Sequence, residues 1–211
     1  AGHKGDQIYK RYNNKIINLI KIIVIIENKP LGTGGCLNLI KKKITNKFLI
    51  FNGDTIFDID LNKFIKNKIS SNEIFIALFK SKKENINNLL SKLKIKNKYL
   101  QISNKLEYSN GGIYIFNKKI IEKIPNKFLS LEKDIILKKI NENKAKGKLY
   151  NNFFIDIGTP KDFKKSKNVI PNYFFKPALF LDRDGTINID KGYTYKFKDF
   201  KFYTNTLSFL K

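Results

Sequence analysis

The chain has 211 residues, 42% of them hydrophobic, and a formal charge of +24 at pH 7. That length and apolar content suit one large domain or two small ones and exclude a disordered tail. No apolar run nears the roughly 18–20 residues that span a bilayer, no basic start leads into the apolar region of a signal peptide, and a single cysteine, Cys36, excludes an internal disulfide and a multi-cysteine metal site.

The charge argues less for nucleic acid than its size suggests. Arg11 and Arg183 are the only arginines, whereas base-reading surfaces use the planar guanidinium fork. The lysines are spread along the chain among Asn, Ile, Phe and Tyr, residues that share A/T-rich codons, and read as a solvated surface. Such a surface still draws phosphorylated molecules toward a cleft. No specific nucleic-acid partner and no membrane are expected. Cys36 reads as a small apolar filler, since the only histidine, His3, is terminal and far from it. A lone reduced thiol fits the cytoplasm.

In chain order, residues 6–14 read as the end of a helix and Ile22–Ile26 as a short β-branched strand. Gly32-Thr33-Gly34-Gly35 reads as a loop opening a helix from Cys36 to Lys43. Phe48–Phe51 is an apolar strand ending in Asn52-Gly53-Asp54. Leu61–Ile69 is helical, Ile74–Phe79 is a buried strand, and residues 82–98 are polar. Asn110-Gly111-Gly112 precedes a strand at Ile113–Phe116. Leu131–Ile140 is helical with Ser130 as its N-cap. Phe153–Ile157 is a strand, and Gly158-Thr159-Pro160 leads into a helix with Pro160 in its first turn. The alternation predicts an α/β domain with a largely parallel sheet, whose ligands sit on loops at the carboxyl ends of strands. A linker is expected over 166–177, between Pro171 and Pro177, followed by a new strand at Ala178–Leu181.

The segment Glu27 to Gly35 has the features of a ligand loop, because glycines allow close backbone approach and the following helix offers N–H groups. Asp54 and Asp156, each at a strand end beside a glycine, form a pair suited to one Mg²⁺ against a triphosphate. Taken singly, each of these reads more readily as an ordinary turn.

Together, Pro30-Leu31-Gly32-Thr33-Gly34-Gly35, Asn52-Gly53-Asp54, Asn110-Gly111-Gly112-Ile113-Tyr114, Leu131-Glu132-Lys133-Asp134 and Asp156-Ile157-Gly158-Thr159-Pro160 resemble the sugar-1-phosphate nucleotidyltransferases, in that family's order over residues 1–165. The resemblance implies a Rossmann-like mixed, mostly parallel sheet. It assigns Leu31, Gly32, Thr33, Gly34 and Asp54 to the nucleotide, with GTP favoured. It assigns Lys105, Asn110, Gly111 and Glu132 to the sugar phosphate, Lys105 by a looser match, and Asp54 and Asp156 to Mg²⁺. The family's opening strand and its glycine-rich, basic triphosphate loop have no counterpart here. The chain is therefore expected to lack the first strands, to start within a gene, and to release no pyrophosphate by itself.

Phe180-Leu181-Asp182-Arg183-Asp184-Gly185-Thr186 delivers two aspartates, two residues apart, from an apolar run to one loop. One can attack phosphorus while the other passes a proton to the leaving oxygen. The motif resembles the opening of the haloacid dehalogenase phosphatases, which makes Asp182 the nucleophile and Asp184 the general acid/base, both beside Mg²⁺. The stretch from Asn188 through Lys191-Gly192-Tyr193 to Tyr203 resembles the histidinol-phosphate and heptose-bisphosphate branch. Residues 178–211 hold only the first strand and helix of such a domain, too little to bury a core. The pairing implies activation of D-glycero-D-manno-heptose: removal of a 7-phosphate, then nucleotidyl transfer to the 1-phosphate. A mannose or glucose 1-phosphate substrate, and a non-catalytic sugar-nucleotide-binding module, are the alternatives. Base, sugar and any oligomer remain open.

Overall fold

A computed structural model describes residues 1–81, 89–192 and 194–210. Residues 82–88 of the polar segment 82–98 lie outside the described residues, as do Tyr193 and Lys211. The chain divides into two units, Ala1–Ser166 and Lys167–Lys211. No helix among the described residues is long and apolar enough to cross a membrane.

The first unit opens with α1 (Gly5–Tyr12), the two-residue strands β1 (Ile16–Ile17) and β2 (Ile20–Lys21), and a helical turn α2 (Gly32–Gly35) that runs into a 3₁₀ turn, Cys36–Ile40. Then come β3 (Lys47–Phe51), β4 (Thr55–Phe57), α3 (Leu61–Phe64), β5 (Ile74–Lys80), β6 (Leu93–Lys96), β7 (Tyr99–Ile102) and β8 (Tyr108–Asn117). The unit continues with α4 (Lys118–Glu122), a π-helical turn Leu131–Ile136, α5 (Leu137–Asn141), β9 (Ala145–Leu149) and β10 (Phe154–Asp156). Helix α6 (Pro160–Phe174) crosses the division, and the second unit ends in α7 (Thr206–Phe209).

The run Ile-Phe-Ile-Ala-Leu-Phe in β5 offers no polar residue to water, and both of its faces are buried. Ile74, Ile76 and Leu78 face one apolar layer with Tyr114, Phe116, Ile121 and Ile136. Phe75, Ala77 and Phe79 face the other, with Phe57, Phe64 and Ile115. Such an unbroken run marks a strand covered on both sides. The six-stranded sheet has the order β3-β8-β5-β9-β7-β6. Strands β3, β5, β6 and β9 run one way and β7 and β8 the other, so the α/β fold with a mixed sheet is as expected. The largely parallel pairing expected is corrected: among the described residues of this sheet only β5–β9 pairs in parallel, because β8 lies between β3 and β5 in the opposite sense.

Several local expectations are corrected. Ile22–Ile26 forms no strand. A strand needs a ladder, and this backbone finds other partners: Ile25 carbonyl accepts from the Ala1 amine and Val24 N–H donates to Asn13 Oδ1. The glycines at 32–35 are helical rather than a loop, and the 3₁₀ turn behind them ends at Ile40 rather than Lys43. Helix α3 stops at Phe64, not Ile69. Asp60 caps its start at 3.0 Å, and Asn67 Nδ2 takes the Phe64 carbonyl at 2.6 Å in place of continued winding. Asn110-Gly111-Gly112 lies inside β8 as a register shift against β5 rather than as a turn before it. The stretch expected as a linker is helical to Phe174, and Ala178–Leu181 is not a strand, its residues exposed with no sheet beside them. Among the described residues, no buried apolar side chain lies beyond Ile155.

Glu73, just before β5, is buried and accepts from the Ser70 N–H at 2.8 Å, the Tyr99 hydroxyl at 3.0 Å and the Lys146 ammonium at 2.7 Å. Burial pushes its carboxyl up, but the Lys146, Ser70 and Tyr99 donors outweigh burial and hold it at about 2 against an ordinary 4.5. A depressed carboxyl stabilises the fold above its unfolded pKa, and that contribution is lost as pH falls from about 4.5 toward 2. Glu73→Gln is therefore expected to melt lower at pH 7 and to show a shallower fall in Tm across that acid window. Parallel wild-type and variant curves of Tm against pH would contradict this.

Candidate active site

The two-stranded ribbon of β4 and β10 brings distant carboxylates together. Asp156 stands opposite Thr55, and the Ile157 N–H donates to the Asp54 carbonyl at 2.8 Å. The ribbon is anchored by aromatics: Phe154 stacks on Phe79 with centroids 3.8 Å apart, and Phe57 meets Phe154 edge-on at 5.4 Å. Gly158 sits where the carboxylates meet. A Cβ there would lie 2.9 Å from Asp54 Oδ2 and 3.1 Å from Asp156 Oδ1, so both side chains reach one point.

A second polar group faces this one from β8 and the π-helical turn. Asn110 Nδ2 donates to the Tyr114 hydroxyl at 2.7 Å and to Glu132 Oε1 at 3.0 Å, while its Oδ1 accepts from the Gly112 N–H at 3.1 Å. Both ends of the amide are thereby fixed. Ser130 caps the turn through the Lys133 N–H at 3.2 Å, and Asp134 returns the bond to the Ser130 N–H at 2.6 Å. The turn is wound as a π-helix, a form frequent at functional sites. Burial pushes the Glu132 carboxyl up; the Asn110 hydrogen bond opposes this, and the negative charges of Asp156 and Asp54 reinforce it. Burial likewise raises the Tyr114 phenol.

Two clefts meet here. One, of about 300 Å³, is lined by Ser109, Asn110, Asp156 and Asp162 among others. The other, of about 540 Å³, is lined by Thr33, Cys36, Asp54 and Ser130. Asn52 and Glu132 line both.

The glycines at 32–35 serve packing. A Cβ on Gly34 would lie 2.9 Å from the Leu131 nitrogen, and one on Gly35 would lie 2.2 Å from the Lys127 carbonyl oxygen. Gly32 has φ +72°, with the Leu129 carbonyl 2.5 Å from its Cβ position. The Gly34 and Gly35 N–H groups both donate to the Leu129 carbonyl, at 2.8 and 3.2 Å. Their missing side chains make room for backbone 127–131, and Thr33 lines the larger cleft.

No family model matches the chain. The D-glycero-α-D-manno-heptose 1-phosphate guanylyltransferase of Aneurinibacillus thermoaerophilus is 32% identical over 180 residues, covering 82% of this chain and 77% of that protein. The protein of the same description from Campylobacter jejuni is 34% identical over 173 residues, with 77% and 73% covered. The chain belongs to this family of sugar-1-phosphate nucleotidyltransferases. A solved structure of HddC from Yersinia pseudotuberculosis complexed with GMP-PN has a TM-score of 0.62 and 31% identity, covering 80% of this chain and 76% of that one. A glucose-1-phosphate thymidylyltransferase structure from Bacillus anthracis, described as putative, at 16% identity and TM-score 0.58, shares the fold.

Nucleotidyltransferases are enzymes, and the structure brings some of the expected site residues to the clefts and leaves others elsewhere. Asp54, Asp156, Asn110, Glu132 and Thr33 line the joined clefts. Leu31 is buried, with its N–H on Glu27 Oε2 at 3.0 Å, and it lines neither cleft, nor do Gly32, Gly34 or Gly111. A Cβ on Gly111 would lie 2.5 Å from the Phe57 ring, so this glycine seats the ribbon against β8. Lys105 is exposed and lines neither cleft. Asp182 and Asp184 lie in the second unit, where Arg183 holds the Asp184 carboxylate at 3.0 and 2.6 Å and Asn188 Nδ2 reaches it at 3.1 Å. Sequence reasoning assigned no role to Asn52, Tyr114, Ser109 or Asp162. Asn52 and Tyr114 lie inside the family motifs, but nothing in spacing shows that Asn52 is shared by two clefts.

Proposed function

We propose that the first unit is part of a sugar-1-phosphate guanylyltransferase that acts on a heptose 1-phosphate, the 211 residues alone still being expected to release no pyrophosphate. The observation that carries the reading is the meeting of Asp54 and Asp156 at Gly158 beside the Asn110–Glu132 pair. It is supported by relatives named for guanylyl transfer to D-glycero-α-D-manno-heptose 1-phosphate. A sugar-phosphate oxygen attacks the α-phosphorus of GTP, the bond to the β-phosphate oxygen breaks, and pyrophosphate leaves. The reaction needs in-line placement and charge neutralisation more than covalent help.

The donor set fits Mg²⁺. Asp54 and Asp156 offer two hard oxygens at one solvent-reached point. No group of three or more His, Cys, Asp or Glu suited to a metal occurs among the described residues, and Mg²⁺ commonly takes one or two carboxylates with waters and substrate phosphates. Bound there, Mg²⁺ would neutralise the phosphate charge that builds up during transfer. Thr33 and Ser130 border the nucleotide in the larger cleft, and Asn110 orients the sugar in the smaller one. Among the described residues Glu132 Oε2 has no hydrogen-bond partner, and it accepts from a sugar hydroxyl. Glu132→Gln is expected to weaken heptose 1-phosphate binding by about tenfold, the loss of one charge-assisted hydrogen bond, with GTP affinity unchanged. Calorimetric titration of each ligand tests this, and unchanged heptose 1-phosphate affinity overturns the assignment.

The domain reading is transferase over 1–165, a connection over 166–177, and from 178 the opening of a phosphatase with Asp182 as nucleophile and Asp184 as acid/base, both beside Mg²⁺. Two aspartates on one loop support it, as does the anchoring of Asp184 by Arg183 and Asn188. Such a phosphatase would supply the heptose 1-phosphate in the cytoplasm by removing a 7-phosphate. The gene decides: a downstream Ser or Thr, a Lys and a further acidic pair are expected, and their absence refutes the fused phosphatase.

A further inference from the structure

Away from the paired clefts, and sharing no lining residue with either, lies a cavity of about 380 Å³. It opens between α4, the 123–129 connection and α5. Its floor is apolar, made by Ile120, Ile124, Leu129 and Ile135. Its wall carries Lys123, Lys127, Lys138, Lys139 and Lys144 against Asp134 and Glu142. Both acids are committed. Glu142 is shared between Lys139 at 3.3 Å and Lys144 at 3.4 Å, and Asp134 accepts from the Ser130 N–H at 2.6 Å. Lys123, Lys127 and Lys138 have no ion pair among the described residues. Lys139 is buried and held to Asn72 Oδ1 at 2.6 Å. Its ammonium is pushed toward the neutral form first by burial; Glu142 opposes this, while the positive charges of Lys144 and Lys123 add to it. A cavity whose cations repel one another over an apolar floor is complementary to an anion carrying an organic body.

The cavity also touches the active cleft through one strip of chain. Leu129, on its floor, accepts the Gly34 and Gly35 N–H groups through its carbonyl. Asp134, on its wall, caps Ser130, and Ser130, Leu131 and Glu132 line the larger active cleft.

We propose that this cavity is a second ligand site, for a phosphorylated small molecule whose phosphate sits among Lys123, Lys127 and Lys138 and whose body covers the isoleucine floor, and that its occupancy reaches the active cleft through residues 129–132. Any ligand that fills it shifts the cleft only as far as the two sites are coupled, and the effect is reciprocal.

The rival explanation is diffuse attraction of anions to a chain of charge +24. Glucose 6-phosphate is the probe, titrated calorimetrically into the 211-residue chain at fixed ionic strength, with inorganic phosphate as a second arm. With the active cleft blocked beforehand by saturating heptose 1-phosphate, one further saturable site is expected. Its affinity falls by about tenfold or more in the triple variant Lys123→Gln/Lys127→Gln/Lys138→Gln, because the phosphate then has neutral amides in place of three ammonium donors. It holds in Lys66→Gln/Lys68→Gln/Lys96→Gln, which removes the same charge from exposed positions elsewhere. Equal weakening in both triples, or no saturation, overturns the site. Inorganic phosphate binding as tightly as glucose 6-phosphate overturns the role of the floor. In the amide spectrum, the Gly34 and Gly35 signals are expected to move on saturation, and their staying fixed overturns the coupling.

Discussion

Asp54→Asn and Asp156→Asn each remove most of the magnesium dependence of GTP binding. In the wild-type chain GTP is expected to bind more tightly with Mg²⁺ than with a chelator, because two carboxylates converge on the point a Cβ of Gly158 would fill. Each amide keeps the side-chain shape and removes one anionic ligand. Loss of groups that touch a metal only through its ligands already costs roughly 10- to 100-fold in affinity. A direct ligand is expected to cost at least as much, and the double variant little more than either single, since the two act on one ion. Glu132 gives an internal control. Its carboxyl is raised partly by the charges of Asp156 and Asp54, so its pKa, followed by carboxyl carbon NMR, moves down in either variant. Asn variants with an intact magnesium effect would refute the metal assignment; an unmoved Glu132 would refute the electrostatic contact.

Gly35→Ala is expected to damage the fold more than any other single methyl added in the glycine segment. The new carbon would lie 2.2 Å from the Lys127 carbonyl oxygen, and that neighbour is backbone. Overpacking a close-packed site costs about 1–3 kcal/mol, and each kcal/mol is about 2–4 °C of Tm in a chain of this size. The shift that relieves the clash must move residues 127–131 off α2, and with them Ser130 and Glu132 at the cleft. Tm and GTP affinity therefore fall together. Gly53→Ala is the matched control, with nothing within 4 Å of its Cβ position. Equal Tm values for the two variants would sink the packing account.

The parts of the fold that were legible in the sequence are those whose causes are local. The β5 run shows burial on both faces by having no polar residue, and Ser130 shows a cap because the turn that needs it follows at once. Asp54 and Asp156 were visible as aspartates beside glycines, and the family motif paired them. Their meeting at Gly158 depends on β4 pairing with β10 across about a hundred residues of chain, which spacing cannot report. That the glycines at 32–35 admit backbone 127–131 was not legible, because a glycine that admits a neighbouring backbone has the same signature as one that admits a phosphate. Ile22–Ile26 has strand composition, yet a strand also needs a partner edge. Asn110-Gly111-Gly112 looks like a turn from composition alone, and only the pairing of β8 with β5 makes it a register shift within a strand.

That double pairing of β8 has a consequence for how the cleft receives its ligands. Tyr114 and Ile115, hydrogen-bonded to β3 on one edge and β5 on the other and buried, are expected among the slowest-exchanging residues of the fold, and Asn110 is tied to them by its pairing with Leu78 and its bond to the Tyr114 hydroxyl. Asn110 is thus set in place when the chain folds, and a sugar arriving there meets a rigid wall with little conformational entropy left to lose. Adjustment on binding falls instead to the opposite wall, where residues 129–132 hold Glu132.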